Sequence, residues 1–175
     1  MTNPTPQSVT LQADNPHLRP AVLAVVASEG GNEVLMFRRV GDGLGEYRWQ
    51  FPQGGMDPGE TPLQALLREL KEEIGTDEVE VVKQTPQPIP YLYPPDVLRR
   101  LTEGKPALAR FTGQSQYWFL VRLKVPVTAI HFQHHPPEFD DYRWVYVAQA
   151  PEEVVPFKRD AYRQGLAALG LIDAP

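Results

Sequence analysis

The stretch Gly54 to Thr76, GGMDPGETPLQALLRELKEEIGT, narrows what this chain can be more than any other, because a glycine-proline turn runs straight into a helix whose two ends are written locally. Thr61 carries the oxygen of an N-cap, Pro62 suits the first turn, and Gln64 stands where the partner residue of a capping box belongs. Gly75 suits the position just past the helix end. At about 100° per residue, Leu63, Leu66, Leu67, Leu70 and Ile74 share one arc and are expected to face the core. Glu69, Glu72 and Glu73 lie on the other side at i, i+3 and i+4 spacing. Uncompensated, like charges so placed weaken a helix by about 0.3 kcal/mol per pair, so something cationic is expected there. Hard oxygen ligands on one turn suit Mg²⁺ or Mn²⁺, and because Mg²⁺ takes one or two carboxylates per ion, more than one ion has room. Arg68 is placed to hold one carboxylate in a fixed rotamer through a forked, charge-assisted pair. The competing reading is a solvated charged face, the usual fate of an isolated E-x-x-E-E.

The stretch as a whole separates these readings. It resembles the Nudix box, G-x(5)-E-x(7)-R-E-U-x-E-E-x-G-U with U aliphatic, and meets it at Gly54, Glu60, Arg68, Glu69, Leu70, Glu72, Glu73 and Gly75. Thr76 departs from the pattern, standing where an aliphatic residue is usual; the loss expected is a little packing after the helix and no ligand.

Around this centre the chain reads as short strands joined by proline-bearing loops. Ala21 to Ala27 is an apolar, β-branched run suited to a buried strand, and Ser28 to Asn32 is a turn into a second strand, Glu33 to Arg38, so the two are expected to form a hairpin. Val40 to Arg48 is irregular, and Val79 to Lys83 is a further strand. The prolines between Thr85 and Phe111 argue against a regular strand there, with a short helix expected over Asp96 to Leu101. Ser115 to Val125 and Asp141 to Val147 read as strands, and Phe157 to Leu169 as a closing helix. Helices in the middle and at the end of mixed strands predict an α/β fold, an α/β/α sandwich around a mixed sheet. Residues 1–16 read as a flexible tail and 17–175 as a single domain.

Composition removes several alternatives. With no cysteine among 175 residues, disulfides, thiolate metal sites and cysteine nucleophiles are excluded. A formal charge of −5 argues against an extended grip on a nucleic-acid backbone, though not against holding one charged end. With no long apolar run and no secretory leader visible at the polar N-terminus, the expectation is a cytoplasmic protein without a membrane partner. His131, His134 and His135 near Glu138 lack a helical register for a transition-metal site and read as loop residues. Trp49, Trp118 and Trp144 read first as core.

The resemblance extends beyond the box. WQFPQGGMDPGET, GQSQYWFLVRL, PEFDDYRWV and VVPFKRDAYR together are similar to the bacterial RNA 5′-pyrophosphohydrolase and diadenosine-polyphosphate hydrolase branch of the Nudix family, over roughly Leu18 to Gly165. That likeness implies hydrolysis of a phosphate anhydride attached to a nucleoside, with water as nucleophile and a nucleotide or the 5′ end of RNA as substrate. It implies Glu69, Glu72 and Glu73 as metal ligands together with the main-chain carbonyl of Gly54. It further implies Glu138 as another ligand or as the base, and Glu60 as a support of Arg68. It implies Arg19, Arg39 and Lys158 as phosphate-facing cations and Phe157 as the ring that stacks on a base, a contact worth roughly 1–3 kcal/mol. Without the likeness, Phe157 would read as an anchor of the last helix. The Tyr91-Leu92-Tyr93-Pro94 loop offers Tyr91 as further aromatic surface. The segment between Arg39 and Trp49 is longer than in the RNA enzymes, and Arg48 replaces a small polar residue. RNA and dinucleoside polyphosphates therefore both stand as substrates. A non-enzymatic alternative is a nucleotide sensor, which would be expected to have lost helix carboxylates that are all present here. Oligomeric state, ion count and the bond attacked are not legible.

Overall fold

The computed structural model describes residues 15–41 and 45–174. Apart from Asn15 and Pro16, the expected tail lies outside the described residues.

Strand β1 (Leu18–Val26) organises the molecule. Its residues from Ala21 to Val26 have no exposure at all, which is why the sequence there is continuously apolar rather than alternating. It pairs in parallel with β7 (Gly113–Leu123) along its whole length, and antiparallel with the short β4 (Gln53–Gly55) on its other edge. The far edge of β7 is shared. β5 (Val79–Gln84) takes its C-terminal half and β6 (Ile89–Leu92) its N-terminal half, both antiparallel. A second, antiparallel sheet has β2 (Glu33–Arg39) at its centre, between β3 (Trp49–Gln50) and β8 (Phe139–Tyr146).

Strand alternation divides the core between two helices. Val22, Ala24 and Val26 of β1, Leu35 and Phe37 of β2, and Phe119 and Val121 of β7 pack on α1 (Pro62–Ile74) through Leu66, Leu70 and Ile74. The opposite set, Leu23, Val25, Val34, Met36, Trp118 and Leu120, packs on α4 (Arg159–Ala168) through Tyr162 and Leu166. The result is the expected α/β/α sandwich. Each fully buried Leu or Ile of α1 contributes about 1.5–3 kcal/mol of transfer free energy.

The ends of α1 are built as its sequence predicts. Gln64 N–H donates to Thr61 Oγ1 at 3.2 Å, Thr61 N–H donates to Gln64 Oε1 at 3.0 Å, and Gly75 takes φ +80°. Thr76, the departure from the motif, is buried, and its Oγ1 accepts from Glu78 N–H at 3.1 Å, so a turn hydrogen bond replaces the aliphatic contact.

Several expectations need correction. The turn at Ser28 to Asn32 is present, but beyond the single bridge Ala27 to Val34 the two strands part, β1 joining one sheet and β2 the other. β7 occupies one edge of β1, and on the other β4 pairs with Ala21 to Leu23 while Ala24 N–H donates to the Pro52 carbonyl, so β2 adds a single bridge before it joins the second sheet. Leu63, assigned to the apolar stripe, is 43% exposed, while Glu73, assigned to the polar side, is 7% exposed. The buried arc of α1 is rotated toward β4, with which the helix is in contact. Trp144 is 38% exposed on the edge strand β8. Pro90 does sit in a strand, tolerated because β6 is an edge with no partner beyond it. The helix α2 (Pro95–Gly104) runs longer than expected, and a 3-10 turn (Pro156–Lys158) precedes α4. A further short helix, α3 (Ala150–Glu153), precedes that turn. Among the described residues no helix is long and apolar enough to cross a membrane.

Candidate active site

One cavity of about 680 Å³ gathers Glu69, Glu72 and Glu73 from α1, Gly54 from β4 and Glu138 from the residue before β8. Arg19 from the start of β1, Arg39 from the end of β2, Tyr91 from β6, and Phe157 and Lys158 from the 3-10 turn line the same space. Of the residues given a role in the site by the sequence, Arg68 and its support Glu60 are not on the wall. They stand behind it.

Arg68 is the centre of a dense polar cluster. Its Nε and Nη2 donate to Glu60 Oε2 and Oε1, each at 2.8 Å, its Nη1 donates to Glu69 Oε1 at 2.8 Å, and its Nη2 also donates to the Gly55 carbonyl at 2.9 Å. One side chain thus ties the loop before α1, the helix and β4 together. The hydrogen bonds from Arg68, helped by the Asp57 N–H, hold the Glu60 carboxyl down at about 2. The Arg68 guanidinium is in turn pushed above its ordinary value, chiefly by its hydrogen bonds to Glu60.

Two adjacent glycines let side chains lie against the β4 backbone. A Cβ on Gly54 would collide with the carboxylate of Glu69, and one on Gly55 with the guanidinium of Arg19. The glycine pair therefore lets an acid and a cation approach the same short strand from its two faces.

Glu73 has the opposite environment to Glu60. Burial pushes its carboxyl well above the usual range, and the nearby Glu69 and Glu138 charges push it further, against a single hydrogen bond from Gln53 N–H. Burial likewise raises Glu69, despite the Arg68 contact. The two carboxyls lie against each other, and burial together with their mutual repulsion makes the pair hold a proton more tightly than free carboxyls do. Glu72 leans toward Arg68 Nη1 at 3.6 Å with its side chain 42% exposed, and Glu138 is exposed. Among the described residues no group of three or more acidic or histidine side chains already stands close enough to hold an ion. The expected set Gly54, Glu69, Glu72, Glu73 and Glu138 is brought to one wall without being closed into a cage. The donor chemistry suits a divalent cation: hard carboxylate oxygens, two of them in groups whose charge burial disfavours, with exposed carboxylates beside them.

The cationic side of the cavity rests on tertiary contacts. β2 has a register shift between Arg38 and Arg39, so Arg38 pairs outward with Asp140 at 2.7 Å while Arg39 turns into the cavity. Lys158 is 5% exposed, with Nζ donating to Gln50 Oε1 at 3.3 Å and lying 5.9 and 5.8 Å from the Tyr91 and Phe157 ring centres. Burial, then the charge of Arg39, brings its ammonium down to about 7. Tyr162 completes this docking, its hydroxyl accepting from Phe51 N–H at 3.0 Å and its ring stacked on Phe51 at 4.9 Å. Phe157 is half-buried and tilted against Tyr91 at 6.1 Å, so it is no core anchor.

Sequence reasoning missed part of the wall. Gln114 lines the cavity, and its Oε1 accepts from the buried Gln116 Nε2 at 3.0 Å, which also donates to Gln53 Oε1 at 2.9 Å. The available signal was a polar G-Q-S-Q run opening an otherwise apolar buried strand. The contribution of α2 was also missed. Of the histidines, His134 reaches the wall, while the His131 ring lies against Gly75.

Comparison with known proteins is consistent with this geometry. The sequence profile of the NUDIX domain matches residues 17–165. The chain is 43% identical over 152 residues to a protein named RNA pyrophosphohydrolase from Helicobacter pylori strain P12, covering 85% of this chain and 91% of that one. It is 42% identical over 166 residues to one of the same name from Tolumonas auensis, covering 93% and 90%. Its fold is similar to that of a C. elegans Ap4A hydrolase at TM-score 0.56 and 20% identity, covering 89% of this chain and all of that one. With the profile covering most of its length and a relative 43% identical over 85% of it, this chain belongs to the Nudix hydrolase family.

Proposed function

We propose that this protein hydrolyses the phosphate anhydride at the 5′ end of RNA, turning a triphosphorylated or diphosphorylated end into a monophosphate, and that dinucleoside polyphosphates share the site. The observation that carries the reading is a single cavity in which a carboxylate wall faces the same space as Arg19, Arg39 and Lys158 and the Phe157 and Tyr91 rings. A phosphate chain is repelled by the first and held by the second, so the arrangement has a use only when cations lie between carboxylates and phosphates. Nudix hydrolases generally need a divalent metal, and the hard oxygen donors here favour Mg²⁺ or Mn²⁺, held by Glu69, Glu72, Glu73, Glu138 and the Gly54 carbonyl. A bound divalent cation supplies charge against the phosphate oxygens and makes a water easier to deprotonate.

The chain's own residues do the rest. Arg68 fixes the rotamer of Glu69. Glu138, exposed and beside the acid pair, is the carboxylate best placed to take a proton from the attacking water, or to complete the ligand set. Arg19 and Arg39 bind phosphate oxygens, Lys158 adds a donor, and Phe157 with Tyr91 supports a base. The formal charge of −5 fits recognition of one terminus better than of an extended strand. The substrates belong to the cytoplasm, where we place the protein.

Turnover of 5′-triphosphorylated RNA and of diadenosine tetraphosphate, with and without Mg²⁺, tests the reading. Multiple turnovers of either, abolished by chelation, are expected. Tight nucleotide binding with no product would instead establish a sensor.

A further inference from the structure

The helix α2 is amphipathic, yet none of its residues is buried. A surface helix ordinarily spends its apolar stripe on the core. Here Val97, Arg100, Leu101 and Gly104, at i, i+3, i+4 and i+7, line the active-site cavity instead, and Lys105 and Leu108 extend that wall through the turn Pro106–Leu108. α2 packs chiefly against that turn. The apolar side chains are half-buried and flanked by cations: Arg100 has only an exposed contact with Asp96 at 3.4 Å, and Lys105 has no ion-pair partner among the described residues. This surface is continuous with the phosphate-facing part of the cavity and lies outside the Nudix motif.

We propose that the wall made by α2 and the following turn is a subsite for a second nucleobase of the substrate, the one not held by Phe157 and Tyr91. Leu101, Val97 and Leu108 form the apolar platform, and Arg100 and Lys105 hold the phosphate or ribose next to that base. The occupant follows from the combination. A flat, uncharged ring suits the aliphatic surface, the adjoining anion suits the two cations, and the carboxylate wall with its ions claims the phosphate chain between. Single-nucleoside substrates leave this wall empty. The inference rests on the nucleotide-hydrolase reading above and assigns to α2 and the following turn the place where the second base of such a substrate is held.

Because α2 contributes nothing to the core, Leu101→Ser and Lys105→Ala, alone and together, are expected to leave thermal unfolding unchanged, which separates lost contacts from lost structure. The readout is equilibrium binding, in Mg²⁺, of three non-hydrolysable methylene-bridged probes: an ATP analogue, a diadenosine tetraphosphate analogue and a 5′-triphosphorylated dinucleotide analogue. Wild type is expected to bind one or both two-base probes at least about tenfold more tightly than the ATP analogue, and the double variant to lose about that factor. Affinity for the ATP analogue stays the same. Loss confined to the dinucleotide assigns the wall to RNA; loss confined to the diadenosine probe assigns it to dinucleoside polyphosphates. Equal binding of one-base and two-base probes by wild type, equal weakening of all three in the variants, or no binding of any overturns the proposal. Since no bond is cleaved, a failure of catalysis would count against the proposed activity and not against the subsite.

Discussion

Glu60 and Glu73 belong to the same motif and have opposite fates. Glu60 accepts a forked pair from Arg68 and an N–H from Asp57, so its charge is compensated within the chain and its carboxyl sits at about 2. Glu73 is buried against other carboxylates with one backbone donor, so its charge is uncompensated and its carboxyl is pushed far up. The lesson is one of division of labour. The first glutamate ties the site together; the second holds a charge that the cation of the proposed mechanism would offset.

Removing the uncompensated charge breaks the comparison most severely. Glu73→Gln is expected to lower kcat by about a thousandfold or more, the several kcal/mol that a correctly held ion supplies. The metal-free protein should be no less stable, since a carboxyl whose charged form burial disfavours is replaced by a neutral amide. Steady-state kinetics with a thermal melt, with and without Mg²⁺, checks both halves, and the Mg²⁺-dependent rise in Tm should shrink with the activity. Glu72→Gln, at a more exposed position, is expected to lower turnover strongly with the fold intact.

Removing the compensating cation comes next. Arg68→Ala leaves Glu60 and Glu69 without their partner and frees the Gly55 carbonyl, so Tm is expected to fall on the order of 5 °C. Turnover should drop about tenfold to a hundredfold through a misplaced Glu69. Arg68→Lys, which cannot make the forked contact, should recover little of either.

The smallest effects are in pH dependence, where the two glutamates have opposite signs. Glu69 and Glu73 bind protons more tightly folded than unfolded, so in metal-free buffer their contribution to stability is full below about 4.5 and is lost as pH rises through their raised values. Mg²⁺ should reverse that loss, giving a larger Tm increment at pH 8 than at pH 5. Glu60 contributes stability that is present above its unfolded value of 4.5 and lost as pH falls toward about 2. Glu60→Gln should flatten the acid limb alone. Chemical denaturation across pH reads both limbs in one series.

The helix at the centre was legible because everything that builds it is local. A capping box, a first-turn proline and a left-handed glycine are set by residues a few positions apart, and the same i, i+3, i+4 spacings put the glutamates side by side. The likeness of the motif to a family then supplied roles for Arg19, Arg39, Phe157 and Lys158, and the fold brings all of them to one cavity. The strand partners of β1 were harder to read, because a turn says that two segments are close in sequence and not that they outbid more distant partners for the same edge.

What the amino-acid sequence determined alone is the helix, its carboxylates and the buried apolar run of β1. Tertiary structure decided which glutamate is buried, how far Lys158 is stripped of water, and that α2 turns its apolar side to the cavity. The physical reason is that periodicity fixes direction along one element, whereas burial and charge depend on what a distant segment lays on top. Gln50 on Lys158 and Phe51 on Tyr162 are such meetings, made by residues far apart along the chain.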